Sequence, residues 1–436
     1  MTPTPFDYAL AQRLGALYLP LMAALILALV RHRHPRRFAA CLLGLLWTAP
    51  TLLLLQIANL RVGWWSFPSA GIGLRGMPLE LYSGWTILWG VLPSLAFPRL
   101  RLRWIVMILA VFDLAAMPLC ATVVQLGPRW LWGEFFAVLF VLLPGVCLTR
   151  WTQQNRHLPL RAALQVLTSG LLFLFLIPEA VFALRPGYGW SPLPAMPQQA
   201  RQFALLLLFL VAISGLGAVM EFAQRGLGTP IPYDPPKRLV TSGIYRYVAN
   251  PMQLSCTLTM LLWAAILRNP WLLIAPGIAV VYSAGIARWD ERQDLAARFG
   301  NDWRAYRNEV GDWLPRCIPF HVGRPARLYL ATTCGPCSHL EPWFARRIVT
   351  GMEILPAESL QEPVERMTYV PGDGSPTVNG IRAMGRALEH LHLGWALAGT
   401  ALRLPGVWQL VQLLMDVSGF GPRRLPYAHT CRTHVN

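Results

Sequence analysis

Apolar runs separated by short charged or Pro/Gly-rich breaks dominate this chain from about residue 14 to residue 288. A hydrocarbon core about 30 Å thick takes roughly 20 apolar residues per helix. On that measure, windows near 14–30, 39–59, 83–98, 104–126, 131–149, 162–184, 203–222, 253–268 and 271–288 predict about nine membrane-spanning helices. The third window is short. The last two form a tight hairpin broken at Asn269-Pro270, because proline lacks an N–H and restricts its predecessor. Residues 1–10 carry neither a basic n-region nor a following small-residue cleavage site, so the first span is expected to remain as a permanent helix.

After Pro315 the pattern changes to charged helical segments and Gly/Pro turns, with no window long enough to cross a bilayer. This predicts a small α/β domain reached through a linker around Cys317 to Arg324. Arg327-Leu328-Tyr329-Leu330-Ala331 reads as a buried strand, followed by Cys334-Gly335-Pro336-Cys337 and an amphipathic helix through Arg347. Ala383 to His390 and Leu402 to Asp416 are helix-like in part. The expected divisions are 1–200 (N-terminal spans), 201–316 (a second membrane region), 325–425 (the CGPC domain) and a tail at 426–436. No internal repeat or low-complexity tract is visible.

Composition supports the membrane reading, since 55% of residues are hydrophobic and only 14% charged, against roughly 25% charged in soluble domains. The net charge of +17 does not point to nucleic acid, because the basic runs lack interleaved stacking aromatics on a soluble face. The cations cluster between spans instead, at Arg31 to Arg37 and Arg99 to Arg103, where they contact anionic headgroups. The expected partner is the lipid bilayer. Cation-rich loops alternate with loops rich in Pro, Gly and Trp, which predicts a multi-pass cell-membrane protein with its N-terminus outside and everything after about residue 289 in the cytoplasm.

The densest chemistry lies between 237 and 316. Lys237 to Asn250 is a basic loop entering a membrane helix, where donors and backbone amides favour anions. Asn250-Pro251 supplies an N-cap residue and a first-turn proline. Tyr245 and Tyr247 bring amphipathic rings to headgroup depth. Beyond the hairpin, Glu291 is an acid suited to a cation or a ribose hydroxyl, and Trp303, Tyr306 and Trp313 follow at near-helical spacing. Taken singly, each is an ordinary interfacial or topology-determining residue; the order of the set carries the signal.

That order, over roughly residues 222 to 316, resembles the isoprenylcysteine carboxyl methyltransferase and phospholipid methyltransferase family of integral membrane enzymes. The resemblance implies S-adenosylmethionine as cofactor, with its binding segment on Lys237, Arg238, Leu239, Val240, Tyr245, Asn250, Pro251, Met252 and Gln253, completed by Glu291. It implies a single displacement at the sulfonium methyl carbon, passed to a hydrophobic or amphiphilic acceptor such as a lipid, a prenylated compound or a thiol. The family's Arg-His-Pro is Ala249-Asn250-Pro251 here, and asparagine cannot shuttle a proton. The substrate-facing arginine of the isoprenylcysteine branch falls on Ala287, leaving only the adjacent Arg288 as a substrate contact.

Cys334 and Cys337, between a strand and a helix, form a thioredoxin-like redox pair in which the helix N-terminus stabilises the Cys334 thiolate. With the Val378-Asn379-Gly380 turn and Leu402 to Gly406, residues 326–424 resemble the DCC-type thiol-disulfide oxidoreductase-like family, which implies a thiol reductant as partner. A zinc site from Cys334, Cys337, Cys431 and His434 competes with the redox reading. The remaining cysteines in apolar stretches read as small hydrophobes. His32, His34 and His157 read as headgroup contacts, and Asp113 and Glu134 as polar groups in helix packing, although acids inside a membrane are functional candidates by default. The overall expectation is an α-helical multi-pass membrane protein with a C-terminal α/β thioredoxin-like domain. It acts as a methyltransferase; the alternative is a membrane thiol-disulfide oxidoreductase whose methyltransferase-like part is a scaffold. A transporter or structural membrane protein is a further rival, suggested by the extra N-terminal spans.

Overall fold

The computed structural model describes residues 5–30, 35–68, 72–230, 235–282, 288–331, 339–360 and 364–422. Among these, six helices are long and apolar enough to cross a membrane: Tyr8–Val30, Arg36–Val62, Leu102–Leu119, Trp130–Gln154, Leu158–Leu184 and Gln198–Gly226. Such helices fit a membrane protein. The expected 83–98 window falls instead on two short helices, Leu79–Gly90 and Leu92–Ala96, because Pro93 cannot donate into a continuing ladder. The two windows of the hairpin correspond to the shorter apolar helices Pro251–Ile266 and Pro270–Val281. The break between them lies at Asn269, whose side chain accepts from the Trp271 N–H at 3.1 Å.

The chain divides into two compact units. The first contains Met1–Arg201, Gly228–Pro235 and Thr259–Pro276. Its helices approach at glycines: a Cβ on Gly44 would lie 2.0 Å from the Gly90 carbonyl oxygen, and one on Gly84 2.0 Å from that of Ala16. Only small residues allow such backbone contact. Two long helices of this unit contain a π-helical turn, at Val138–Leu142 and Leu172–Leu176. Each stands just upstream of a proline, Pro144 or Pro178, whose ring and missing N–H disrupt the regular ladder. Outside the long helices, strand Trp65–Ser66 pairs antiparallel with Gln125–Leu126. Arg75 meets Glu179 in a two-pronged ion pair of 2.7 and 2.5 Å.

The second unit contains Gln202–Leu227, Pro236–Leu258 and Gly277–Asn436. Its C-terminal part carries a small mixed sheet. Ala326–Leu330, one residue upstream of the expected strand, lies between Met352–Pro356, parallel to it, and Thr368–Val370, antiparallel to it. Val378–Asn379 adds antiparallel to the outer side of Thr368–Val370. Alternation along the central strand sends Ala326, Leu328 and Leu330 into one core with Phe344, Tyr369, Ala383 and Leu388, and Tyr329 and Ala331 into another. Helices Ile381–Leu388 and Leu393–Arg403 pack closely where a Cβ on Gly399 would sit 2.3 Å from the Gly385 oxygen. The CGPC segment, Cys431 and His434 lie outside the described residues.

Candidate functional site

The basic lead-in identified in the sequence runs as irregular chain from Pro236 into a short 3-10 turn, Gly243–Arg246, and then into helix Pro251–Ile266. Lys237 and Arg238 are exposed, and among the described residues no ion pair engages either. The Lys237 N–H donates to the Gly226 oxygen at 2.7 Å, tying the start of the lead-in to the end of the long helix Gln198–Gly226. Val240, Ile244, Tyr245 and Val248 are buried with Ala218, and Phe222, Met252 and Leu254 pack against them.

The chain returning from the hairpin lies along this lead-in. Tyr306 donates its hydroxyl to the Tyr245 oxygen at 2.8 Å. The Ala249 and Asn250 N–H groups donate to the oxygens of Gly311 and Asp312, while Arg316 N–H donates to Tyr247 O and Phe320 N–H to Arg246 O. The Asn250 amide donates to Asp312 at 3.2 Å, and Asp312 is also paired with Arg307. Leu239 and Ala249 pack on Tyr306, Val310 and Phe320. Further back, Arg298 donates to the Pro236 oxygen from helix Arg288–Glu309. The structure therefore brings Leu239, Tyr245 and Asn250 together with the returning segment, while Val240 and Met252 pack in the cluster with Ala218, Ile244 and Val248. Pro251 is buried and Gln253 half-buried at the start of the next helix. Arg288 and Glu291 belong to the returning helix by backbone, and their side chains lie outside the described residues.

Beneath the lead-in is a charge cluster that sequence reasoning did not identify. Glu221, fully buried, accepts from Ser242 Oγ at 2.6 Å, Arg386 Nη1 at 2.6 Å and Arg403 Nη1 at 2.7 Å, with Arg225 Nε at 3.3 Å. Arg386 and Arg403 also face the buried Glu389, and Arg225 pairs outward with Asp373. Burial opposes the Arg386 charge, but the carboxylates of Glu221 and Glu389 outweigh it and hold the guanidinium firmly protonated. Gly243 has φ +62°, and a Cβ there would sit 2.6 Å from Glu221 Cγ. A side chain at 243 would meet both a left-handed backbone and the buried acid. Tyr247 completes the attachment by donating to the Glu389 oxygen at 3.0 Å. The only sequence sign was an acid and a base four residues apart, Glu221 and Arg225, at the end of an apolar run.

This arrangement is a basic, partly open lead-in held at the end of one apolar helix and the start of another. Residues 203–302 match the family model of phospholipid methyltransferase, a stretch that contains the lead-in, both hairpin helices and the start of the returning helix. The match supports a membrane methyltransferase. No curated protein and no solved structure matches the chain.

Proposed function

We propose that the region of about residues 201–316 is an S-adenosylmethionine-dependent methyltransferase acting on a hydrophobic or amphiphilic acceptor. The observation that carries this reading is the match of residues 203–302 to phospholipid methyltransferases, together with the lead-in inside that stretch being paired to the segment that follows it, Tyr306 to Phe320. The donor set suits the cofactor. Lys237 and Arg238 offer exposed cations for a carboxylate, Asn250 offers a neutral amide, and Glu291 lies on the returning helix to receive a ribose hydroxyl. When bound, the cofactor would supply an electrophilic methyl group on a sulfonium centre.

The protein's task is then alignment of donor with acceptor and exclusion of water, which together lower the barrier without a covalent enzyme intermediate. The buried Val240, Ile244 and Val248 make the inner wall of the lead-in apolar, which suits a lipid-soluble acceptor. With asparagine at 250, no proton is taken up at that position, so the acceptor arrives already nucleophilic or gives its proton elsewhere.

The test uses the full chain in liposomes with a radiolabelled methyl donor, followed by extraction of lipids and small thiols. Label in the lipid extract supports the reading. One lost charged hydrogen bond is worth roughly 1.5–3 kcal/mol, so Glu291→Gln should weaken cofactor binding about tenfold or more. No binding of S-adenosylmethionine in a calorimetric titration would overturn the assignment.

A second activity is favoured by the C-terminal sheet. A central strand flanked by one parallel and one antiparallel neighbour, with a further antiparallel edge strand and a following helix, supports the thioredoxin-like reading. The central strand ends at Leu330, shortly before Cys334 and Cys337. On this reading the pair exchanges a disulfide with a thiol partner.

A further inference from the structure

In the first unit, a small chamber is lined by Leu52, Gln56, Trp85, Trp89, Asp113 and Glu134, with other apolar side chains around them. Its volume is about 30 Å³, and a cavity of roughly 10–15 Å³ by that measure already admits a water. Asp113 is 1% exposed and Glu134 4%. Both sit within long apolar helices, Leu102–Leu119 and Trp130–Gln154.

Both carboxyl-bearing side chains line this one chamber. Carboxylates only accept, so two of them buried around one small space with no cation among its lining residues are relieved when one carries a proton to donate. Trp85 Nε1 donates to Asp113 Oδ1 at 2.7 Å and holds that carboxylate in place as acceptor. Glu134 Oε1 has no hydrogen-bond partner, nor has the indole N–H of Trp89, itself 1% exposed. Both line the chamber.

A polar group kept only for helix packing is satisfied by its neighbours, because an orphan in a low-dielectric interior is costly. Here an orphan acceptor and an orphan donor belong to two side chains that line the same water-sized space. The titratable neighbours of the pair are few. The lining residues on the other elements, Leu52, Gln56, Trp65, Met77, Leu81 and Val124 among them, are neutral, and the Cys120 thiol is the one further titratable group that feels the Asp113 charge among the described residues. No cation lines the chamber to balance two negative charges.

We propose that Asp113 and Glu134 form a membrane-buried site for one exchangeable proton, opening onto a chamber that holds water between Glu134 and Trp89. The proton resides on one carboxyl and is donated to the other. Its exchange proceeds by transfer from Glu134 to the chamber water and leaves the pair with a second negative charge until a proton returns. The first unit thus carries a proton-responsive element.

Infrared spectroscopy of the full chain in liposomes tests this directly. The wild type should show a protonated carboxyl stretch at neutral pH that shifts in heavy water and disappears in a single step as pH rises. Glu134→Gln and Asp113→Asn should each abolish it, and Glu134→Asp should restore a shifted band. A band insensitive to heavy water, or one retained in both variants, would overturn the proposal. If the variants do not fold, the isotope shift and the single-step titration of the wild type decide alone. Loss of the band when potassium is replaced by sodium at constant pH would overturn the proton assignment in favour of an alkali cation.

Discussion

Arg403 Nη1 donates to Glu221 Oε1 at 2.7 Å, joining side chains 182 residues apart in the chain. Arg386 reaches the same oxygen at 2.6 Å across 165 residues. Through Ser242 and Gly243 that oxygen pair also fixes the turn that opens the lead-in. The C-terminal helices therefore act as positioning elements for a loop more than a hundred residues upstream.

Removing one member of a buried ion pair strands the other charge and costs about 3–5 kcal/mol. Arg403→Ala should accordingly lower the thermal unfolding midpoint of the purified protein by many degrees. Combining it with Glu221→Gln should cost less than the two single changes added together, with a coupling of about 0.5–3 kcal/mol. Strict additivity in that double-mutant cycle would show that the contact carries no energy.

Gly243 and Gly374 both have positive φ, +62° and +74°, but only Gly243 has Glu221 against its missing side chain. Gly374→Ala should cost about 1 kcal/mol from backbone strain alone. Gly243→Ala should cost clearly more and also weaken cofactor binding, since the turn must move off Glu221. Equal losses in chemical unfolding of the two variants would mean that the Glu221 contact yields without penalty.

His390 is fully buried and donates from Nδ1 to the Thr350 oxygen at 2.7 Å, leaving Nε2 to accept from the Tyr369 hydroxyl at 2.9 Å. Burial, with the nearby Arg246 charge, pushes its pKa well below the ordinary 6.5. The unfolded chain then takes up this proton first as pH falls, so the stabilisation is complete above about pH 7 and declines below about pH 6.5. His390→Gln should flatten the unfolding midpoint between about pH 7 and pH 5. The Asp373 carboxylate, held below its usual range by Arg225 against the opposing effect of burial, loses its contribution only at more acid pH. An unchanged slope would remove His390 from the acid sensitivity.

Much of the membrane architecture was legible because it rests on local signals. The break at Asn269-Pro270 follows from proline's missing donor, and the capping contact to Trp271 follows from asparagine's side chain. The 83–98 window failed for the same reason, since Pro93 lies inside it and splits the helix. Hydropathy averages over such a residue. The Glu221 cluster was illegible for a different reason. Arg386 and Arg403 look like solvent-facing charges on amphipathic helices, and only the tertiary fold turns them onto a buried acid. Glu134 was visible as an acid in an apolar run, but its orphan oxygen and the matching Trp89 N–H appear only when Leu79–Gly90 and Trp130–Gln154 share a wall.

On the thioredoxin-like reading Cys334 is the attacking thiol of the CGPC pair, since that reading puts the first cysteine at a helix start, where amide dipoles favour a thiolate. Alkylation at mildly acidic pH should label Cys334 well ahead of Cys337, and oxidation should protect both together. Chelator treatment should alter neither rate. Release of a metal with simultaneous exposure of Cys431 would identify a zinc module instead.

Trp85 and Trp89, the two indoles of the buried chamber, are each the immediate neighbour in sequence of a glycine at which their helix touches another backbone, Gly84 against Ala16 and Gly90 against Gly44. Their positions are thereby indexed to contacts between main chains, which do not swap rotamers. The chamber's walls are stiff, and a single methyl group added at residue 84 or 90 would change its dimensions without altering any residue that lines it.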